Sequence, residues 1–365
     1  MKFKNSILKH KNFCIFALIF YNLFFTLSCQ NQNLPNTENS ENTENSAKGE
    51  SLDLKKSSSC EKLKITNWNL ETFFDSTNDG SEYSEFVKSK TWGKEMYSKR
   101  LERLAQVIKE TDSDVYVMEE IENENVLHDI SNFLAGEWNF KKNFKYACFA
   151  KDKGSSIGCA VISRYPLQNM SVHSLNIEKS GVKVPSMRPL IQVSVIKNEK
   201  ELVLLVNHWK SMSGGEEITE KWRNAQEILL AERLEDLCQK EKAFLALGDF
   251  NRDILKFKKS KWTNSGQKIL IRKGKDFVFA DEGIEVLSTW FEMEEFLKEP
   301  GSYNFKGIWS RIDNMFFGGT ASFENFCVEK NGAWYDSEND KPNAYSLWNG
   351  NGFSDHLPIS ATAIF

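Results

Sequence analysis

The stretch Phe244-Leu245-Ala246-Leu247-Gly248-Asp249-Phe250-Asn251 decides the fold of this chain of 365 residues. Its first four residues are apolar, and an unbroken apolar run of this length indicates a strand that is buried on both faces. The strand leads directly into the polar side chains of Asp249 and Asn251. Because a carboxylate at the mouth of a buried strand is costly to desolvate, chemistry or metal binding usually explains it. The stretch therefore predicts a functional site at one end of a buried sheet.

Similar polar clusters recur where other predicted strands meet loops. They are Asn67-Trp68-Asn69-Leu70-Glu71, Met118-Glu119-Glu120-Ile121-Glu122-Asn123, Asn207-His208-Trp209-Lys210-Ser211, Arg311-Ile312-Asp313-Asn314 and Ser354-Asp355-His356-Leu357-Pro358. Their ligand atoms belong to carboxylates, amides and imidazoles, without thiolates, and such a set suits Mg²⁺ or Mn²⁺ rather than zinc or copper. Each cluster alone is weak evidence, since a Gly-Asp-Phe-Asn turn is often a plain β-turn and a lone histidine is often structural.

The rest of the pattern predicts strands and helices without strict alternation. Helices are predicted over 95–111, 125–134 and 217–239, and strands over 64–69, 114–118, 146–151, 156–163, 190–196, 202–206, 244–247, 311–317 and 358–364. This mixture indicates packed β-sheets that are flanked by helices.

Two of the cysteines bear on the compartment of the protein. Cys148 and Cys159 fall on a hairpin predicted around Lys153-Gly154, in a register that places the two residues opposite each other. They could form a cross-strand disulfide in an oxidising compartment, and two buried free thiols are the alternative.

In this order the clusters resemble the endonuclease/exonuclease/phosphatase superfamily, which has the fold of deoxyribonuclease I. The resemblance runs from Ile65 to the C-terminus and includes three supporting segments: Arg103-Leu104-Ala105, Ile162-Ser163-Arg164-Tyr165-Pro166-Leu167 and Tyr303-Asn304-Phe305-Lys306-Gly307. The chain looks most like the secreted bacterial nuclease-type branch. The resemblance implies an α/β fold, a four-layer sandwich of two packed mixed β-sheets flanked by helices, with the active site at one end of the facing sheets.

The resemblance also implies a role for each site residue. Glu120 would be the main metal ligand, with Asn69 and Asp355 beside the ion. Asp249 would orient and deprotonate the attacking water, and Asn251 would bond a phosphate oxygen. His356, paired with Asp313, would stabilise the pentacovalent charge, and His208 would bond the phosphate or protonate the leaving oxygen. Apart from the resemblance, we expect the positive charges of Lys210, beside His208, and of Arg188 to bind the substrate.

Two positions depart from the family pattern. Glu119 stands where the family usually has Gln, so it either adds a negative charge beside Glu120 or points away from the metal. Asn314 follows Asp313 where nuclease relatives often carry His. Neither change removes a catalytic residue, so we expect activity.

The N-terminus has the features of a targeting segment. Four lysines precede an apolar run over 13–27, which predicts a signal peptide over residues 1–28. Thr26-Leu27-Ser28-Cys29 resembles a bacterial lipoprotein cleavage box, so we expect Cys29 to be lipidated, with ordinary secretion as the alternative. Residues 29–60 are polar and would form a disordered tether, and residues 61–365 the catalytic domain. The protein is then secreted across the inner membrane and anchored to a membrane, in the periplasm or at the cell surface.

The net charge of the chain bears on how it could bind nucleic acid. Removal of residues 1–28 takes away four lysines and no acidic residue, so the formal net charge changes from −4 to −8. An acidic protein does not coat nucleic acid indiscriminately. A local stretch over 252–275 is rich in basic residues, with Phe257 and Trp262 among them, and suits a phosphate backbone or is simply a solvated surface.

These observations predict an enzyme, a divalent-metal-dependent phosphodiester hydrolase that uses Mg²⁺ or Mn²⁺. The leading interpretation is a nuclease that acts on DNA or RNA by metal-assisted attack of water. Two alternatives remain: a sphingomyelinase or lipid/inositol phosphate phosphatase, and a catalytically silent surface-binding lipoprotein. We expect a monomer whose partners are nucleic acid and, through its anchor, a membrane; no protein partner is implied.

Overall fold

The computed structural model describes residues 60–137, 143–175, 185–259, 269–273, 276–277, 284–291 and 299–365. The predicted signal peptide, the lipidation site Cys29 and the tether up to residue 59 lie outside the described residues. So do residues 260–268 and 274–275 of the basic stretch that follows Asn251.

The described chain contains four α-helices, two 3₁₀ segments and eighteen strands. The α-helices are α1 (Ser84–Lys88), α2 (Lys94–Thr111), α3 (Glu124–Glu137) and α4 (Glu216–Gln239), and the 3₁₀ segments are Ile254–Lys259 and Thr289–Phe291. The strands are β1 (Lys62–Phe73), β2 (Val115–Ile121), β3 (Tyr146–Ala150), β4 (Gly158–Ser163), β5 (Leu167–His173), β6 (Leu190–Lys197), β7 (Lys200–His208), β8 (Phe244–Asp249), β9 (Ile269–Lys273), β10 (Asp276–Phe277), β11 (Ile284–Ser288), β12 (Tyr303–Phe305), β13 (Ile308–Ser310), β14 (Asp313–Gly318), β15 (Ser322–Val328), β16 (Tyr335–Asp336), β17 (Lys341–Pro342) and β18 (Ile359–Ile364).

Most of the strands form two mixed sheets. The first has the order β15-β18-β1-β2-β4-β3, and the second has the order β10-β9-β11-β14-β8-β7-β6-β5. Strands β1 and β2 run parallel, as do β7 and β8, whereas β8 and β14 run antiparallel. The sheets face each other, because β1 and β2 of the first pack against β8 of the second. Strand β8 is buried along its whole length, as its apolar sequence predicts.

The helices cover the sheets. On α2 the predicted apolar stripe of Leu101, Leu104, Ala105 and Ile108 is buried, and α2 packs against α3. Helix α4 lies near β11 of the second sheet. The predicted α/β fold, a four-layer sandwich of two packed mixed β-sheets flanked by helices, is therefore confirmed. No helix in the described ranges is both long and apolar enough to cross a bilayer.

The cysteine prediction was wrong in its register. In the hairpin of β3 and β4, Cys148 lies opposite Val161, and Cys159 lies opposite Ala150. Both thiols are free and buried. The hairpin loop shifts the pairing by two residues, so the two cysteines are diagonal neighbours and form no disulfide.

Candidate active site

Three adjacent strands of the second sheet place their polar residues side by side. His208 at the end of β7 lies opposite Asp249 at the end of β8, and Asp249 lies opposite Asp313 at the start of β14. All three residues are buried. Close approach of β7 and β8 requires Gly248, which has φ +136°, because a Cβ atom there would lie 1.8 Å from the carbonyl oxygen of Asn207.

The first sheet contributes Asn69 and Glu120 from the ends of its parallel strands. The register of β2 shifts between Glu119 and Ile121, and Glu120 has φ +64°. This bulge lets two consecutive glutamates enter different environments. Glu120 Oε2 accepts a hydrogen bond from the backbone N–H of Thr72 at 2.7 Å, while Oε1 lies 3.4 Å from the amide nitrogen of Asn69.

Asn69 links the two sheets at the site. Its Nδ2 donates a hydrogen bond to Asp249 Oδ2 at 3.1 Å. Asp249 also accepts from Asn251, at 2.7 Å from the backbone N–H to Oδ1 and at 2.8 Å from Nδ2 to Oδ2. Asn251 has φ +46°, and this turn brings its side chain back to the carboxylate. Burial and the charge of Asp313, only partly offset by His356, raise the pKa of Asp249 to about 7.

His356 and Asp313 form a buried pair. His356 Nδ1 lies 2.8 Å from Asp313 Oδ2, and Ser302 Oγ donates to the same oxygen at 2.5 Å. Burial alone lowers the pKa of His356, but the charges of Asp313 and Asp355 and the hydrogen bond to Asp313 raise it well above its ordinary value. The imidazole is therefore protonated and donates to Asp313.

His208 is also buried, but its pKa shifts in the opposite direction to that of His356. Its Nε2 lies 3.7 Å from Glu120 Oε1 and 3.7 Å from Asp249 Oδ2. Burial, followed by the positive charges of Arg188, His356 and Lys210, lowers the pKa of His208 well below its ordinary value. The neutral imidazole favours a hydrogen bond to a phosphate over protonation of a leaving oxygen.

Carboxylates gather at the open side of the cleft. The Asp355 side chain is 36% exposed, and burial and the charge of Glu120 raise its pKa, against the opposite effect of His356. Glu71 joins this group: burial and the charge of Asp355 raise the pKa of Glu71 to about 8. Sequence reasoning missed Glu71 as a site residue, although it belongs to one of the quoted clusters, because the irregular end of β1 (φ +50° at Glu71) turns it toward the site.

These carboxylates fit a divalent cation. Glu120 and Asp355 are hard oxygen donors, and a bound cation would relieve the repulsion by Glu120 that, after burial, raises the pKa of Asp355. Asn69 turns its amide nitrogen to Glu120 and Asp249, and its side-chain oxygen accepts from the backbone N–H of Glu71 at 3.0 Å. Asn69 therefore orients the two carboxylates and does not offer an oxygen to the ion. Ligand atoms of Asp249, Asp313 and His356 also lie within 4.8 Å of one another. That second set fits a cation less well, since the proton on His356 Nδ1 occupies the atom that would bind it.

Two basic residues lie beside His208. Lys210 Nζ donates to Ser211 Oγ at 3.1 Å. Burial and the charge of Glu120 raise the pKa of the Tyr83 hydroxyl, against the smaller effect of the charge of Arg188, which lowers it. The charge of Arg188 lowers the pKa of both His208 and Lys210, after the larger effect of burial, so the three groups are close neighbours. The cleft thus has an acidic side around Glu120 and a basic side around Arg188.

The two departures from the family pattern have structural explanations. Glu119 is fully buried, and burial and the charges of Asp313 and Asp249 raise its pKa well above the ordinary value. Glu119 is therefore a neutral acid of the size and shape of glutamine, and it adds no charge beside Glu120. Asn314 donates to the carbonyl oxygens of Arg311 and Ile312, at 3.2 Å and 3.1 Å, and supports the turn before β14.

The structure thus brings all the predicted site residues of the described chain into one cleft. It also adds Ser302 and Tyr303, which sequence reasoning did not select. The Tyr303 ring lies 4.6 Å from the His356 ring at an interplanar angle of 34°. The signal was available, because Tyr303 begins one of the segments that support the family resemblance.

This fold and this site together define a class of phosphoester hydrolases. The class has two facing mixed sheets, and at one end of them a buried histidine–aspartate pair, an aspartate–asparagine pair and a glutamate. A family model described as Endonuclease/Exonuclease/phosphatase family matches residues 64–362. The chain belongs to this family and is a hydrolase of its superfamily.

Solved structures share the fold at low sequence identity. TDP2 from Caenorhabditis elegans superposes with a TM-score of 0.53 at 15% identity, covering 83% of this chain and 74% of that one. ANGEL2, described as a 2',3'-cyclic phosphatase, gives 0.53 at 12% identity, with 84% and 95% covered. A humanized TDP2 from D. rerio gives 0.50 at 13% identity, with 83% and 98% covered. No curated protein sequence matches this chain significantly.

Proposed function

We propose that the protein is a divalent-metal-dependent phosphodiesterase that cleaves DNA or RNA. One observation carries the proposal: Glu120 from the first sheet and the Asp249–Asn251 and Asp313–His356 pairs at the second meet in one cleft. Each of these groups serves a different requirement of phosphodiester hydrolysis.

Asp249 is the group best placed to activate water. Two hydrogen bonds from Asn251 and one from Asn69 hold its carboxylate in a fixed orientation. Its pKa of about 7 is close to a neutral working pH, where a general base is most effective. Asp249 would orient a water molecule and take its proton as the oxygen attacks phosphorus.

The remaining groups would stabilise charge on the phosphate. Protonated His356, held by Asp313, would donate Nε2–H to an oxygen of the pentacovalent state. Neutral His208 would hydrogen-bond a phosphate oxygen, and Arg188 and Lys210 would bind the flanking negative charge. A divalent cation held by Glu120 and Asp355, with Asn69 orienting Glu120 beside it, would supply Lewis-acid neutralisation of the phosphate.

Nucleic acid fits the charge of the cleft. Arg188 and Lys210, whose charges both lower the pKa of His208 after the larger effect of burial, offer a polyanion two contacts near this residue. The solved neighbour ANGEL2 is described as a 2',3'-cyclic phosphatase, which supports a phosphate ester as the reacting group.

A second candidate substrate is a phospholipid headgroup. Phe305 and Ile308, on the hairpin that carries Tyr303, are 57% and 70% exposed, and Trp348 is 88% exposed. Exposed apolar side chains near a catalytic cleft favour contact with a lipid surface. The Trp290–Phe291 pair does not have this role, because both residues are buried.

The test offers the purified protein plasmid DNA, RNA and sphingomyelin vesicles in parallel, with Mg²⁺, with Mn²⁺ or with chelator. The proposal expects metal-dependent cleavage of nucleic acid by the wild type and its loss in Asp249→Asn. Cleavage of sphingomyelin alone would establish the second candidate in its place. A folded wild type that hydrolyses none of the three would favour the silent surface-binding alternative.

A further inference from the structure

A second acidic cluster lies beside the end of β2, outside the catalytic cleft. One ligand oxygen each from Asp79, Glu82 and Glu122 lies within 4.8 Å of the others. Asp79 and Glu82 belong to the loop after β1, and Glu122 directly follows β2. The loop and the strand end therefore present carboxylates to the same small volume.

Glu122 supplies the observation that points to a ligand. Its side chain is buried, with 1% exposure, and its Oε2 accepts from the backbone N–H of Asp75 at 2.6 Å. Its Oε1 is buried without any hydrogen-bond partner. A buried carboxylate oxygen with no partner costs free energy, and a bound cation is a direct way to satisfy it.

The loop is organised around the same acids. Glu82 accepts from the backbone N–H groups of Asp79 and Gly80, at 2.7 Å and 2.9 Å. Asp79 accepts from Ser81 N–H at 2.8 Å. Within the described residues, no lysine or arginine forms a salt bridge with Asp75, Asp79, Glu82 or Glu122. The negative charge of the cluster therefore has no protein counter-ion within salt-bridge distance.

The donors favour calcium over magnesium. The loop reads Asp75-Ser76-Thr77-Asn78-Asp79-Gly80, with five consecutive oxygen-bearing side chains before a glycine, and Gly80 has φ +88°. Calcium-binding loops also combine oxygen side chains with a glycine at a sharp turn, but this loop lacks the acid that closes the EF-hand pattern, because Phe86 stands at that position. Calcium accepts several carboxylates in a flexible arrangement, whereas magnesium requires near-ideal octahedral geometry.

We propose that Asp79, Glu82 and Glu122, with Asp75 beside them, form a calcium site that fastens the loop after β1 to the end of β2. The site is separate from the catalytic cation and does not depend on the proposed activity. It would steady Tyr83, which ends the loop and precedes α1.

Terbium luminescence tests the site directly. Terbium takes the oxygen ligands of calcium and emits when an excited indole is close, and Trp92 Nε1 donates to the backbone carbonyl oxygen of Asp75 at 2.9 Å. The wild type and Glu120→Gln should both give emission that calcium displaces. Asp79→Asn and Glu122→Gln should each bind at least about tenfold more weakly.

Controls separate this site from the catalytic one and from misfolding. Asp79 is exposed, so Asp79→Asn is expected to fold even if Glu122→Gln does not. Asp336→Asn is the matched control, because Asp336 is an acid that likewise accepts backbone N–H groups in a turn elsewhere; it should bind as the wild type does. Wild-type affinity in both Asp79→Asn and Glu122→Gln, or complete loss of emission in Glu120→Gln, would overturn the proposal.

Discussion

Glu119 and Glu120 are neighbours on β2, yet their carboxyl groups have opposite electrostatic settings. Glu119 is a neutral acid between the sheets, whereas Glu120 faces the cleft with an 18% exposed side chain. The difference comes from the bulge at Glu120. The environment of each of these two glutamates therefore depends on the local backbone conformation, although the residue type is the same.

This contrast gives a matched pair of substitutions. Glu119→Gln replaces a neutral acid with an amide of the same shape, so activity should stay within a few-fold of the wild type. Glu120→Gln removes the carboxylate that we propose as the main cation ligand, so Mg²⁺-dependent cleavage should fall by about a hundredfold or more. Steady-state rates on plasmid DNA at several Mg²⁺ concentrations check both expectations, and equal losses in the two variants would contradict the assignment.

The His356–Asp313 pair predicts a specific pH dependence. The charge and hydrogen bond of Asp313 raise the pKa of His356 against the effect of burial, so Asp313→Asn should lower that pKa. His356 would then lose its proton at lower pH, and the alkaline decline of activity should move to lower pH. Protonated His356 also stabilises the folded protein. In the wild type this contribution is fully present below the ordinary histidine pKa and is lost as pH rises through the raised pKa of the folded state. In Asp313→Asn the folded-state pKa is lower, so the contribution is lost at lower pH.

Rate profiles over pH and NMR titration of the imidazole check this prediction. A profile of Asp313→Asn that overlays the wild-type profile would show that the pair does not set the protonation of His356.

At the scale of elements, the parallel pairing of β7 and β8 positions His208 beside Asp249. Gly248→Ala should destabilise the fold by about 2 kcal/mol or more, because φ +136° is strained for alanine and its Cβ would overlap the Asn207 carbonyl oxygen. Gly136→Ala is the control: Gly136 lies in α3 with open space around it, and alanine favours a helix. Urea unfolding measures both variants, and equal stability of the two would refute the steric account.

Elements with strong periodicity could be predicted from sequence, and irregular ones could not. Strands β1, β2, β7, β8, β14 and β18 and helices α2, α3 and α4 were predicted to within a few residues, since apolar runs and a helical stripe mark them. The edge strand β15 was missed because it pairs with β18 alone and mixes exposed and half-buried residues. The disulfide prediction failed because a hairpin register depends on loop geometry that composition does not specify.

The candidate site shows the same division. Individual clusters at strand ends are visible in the sequence, but the contact of His356 with Asp313, 43 residues apart, is a property of the fold. The order of the clusters made the site predictable because it resembles a known family. Ser302 was missed because its hydrogen bond to Asp313 arises only in the fold. Tyr303 and Glu71 stand in segments that the sequence analysis quotes, but the contacts that bring them to the site are also tertiary.

At the scale of the whole molecule, the N-terminal sequence predicts where the protein is located. We propose that residues 1–28 are removed as a signal peptide, that Cys29 is lipidated and that the polar segment up to residue 60 links the lipid to the catalytic domain over 61–365. In a bacterial host, the wild type should incorporate labelled fatty acid and sediment with membranes, whereas Cys29→Ser should do neither. Equal membrane association of both forms would contradict lipidation at Cys29.

The central claim is that residues distant in the sequence act as one catalytic unit. Single-turnover cleavage of plasmid DNA with Mg²⁺ by Asp249→Asn, His356→Gln and the double variant tests it most directly. Groups that act together on one transition state lose activity non-additively, so the double variant should be little slower than the slower single variant. A double variant whose loss equals the product of the two single losses, or single variants that retain wild-type rates, would contradict the shared site.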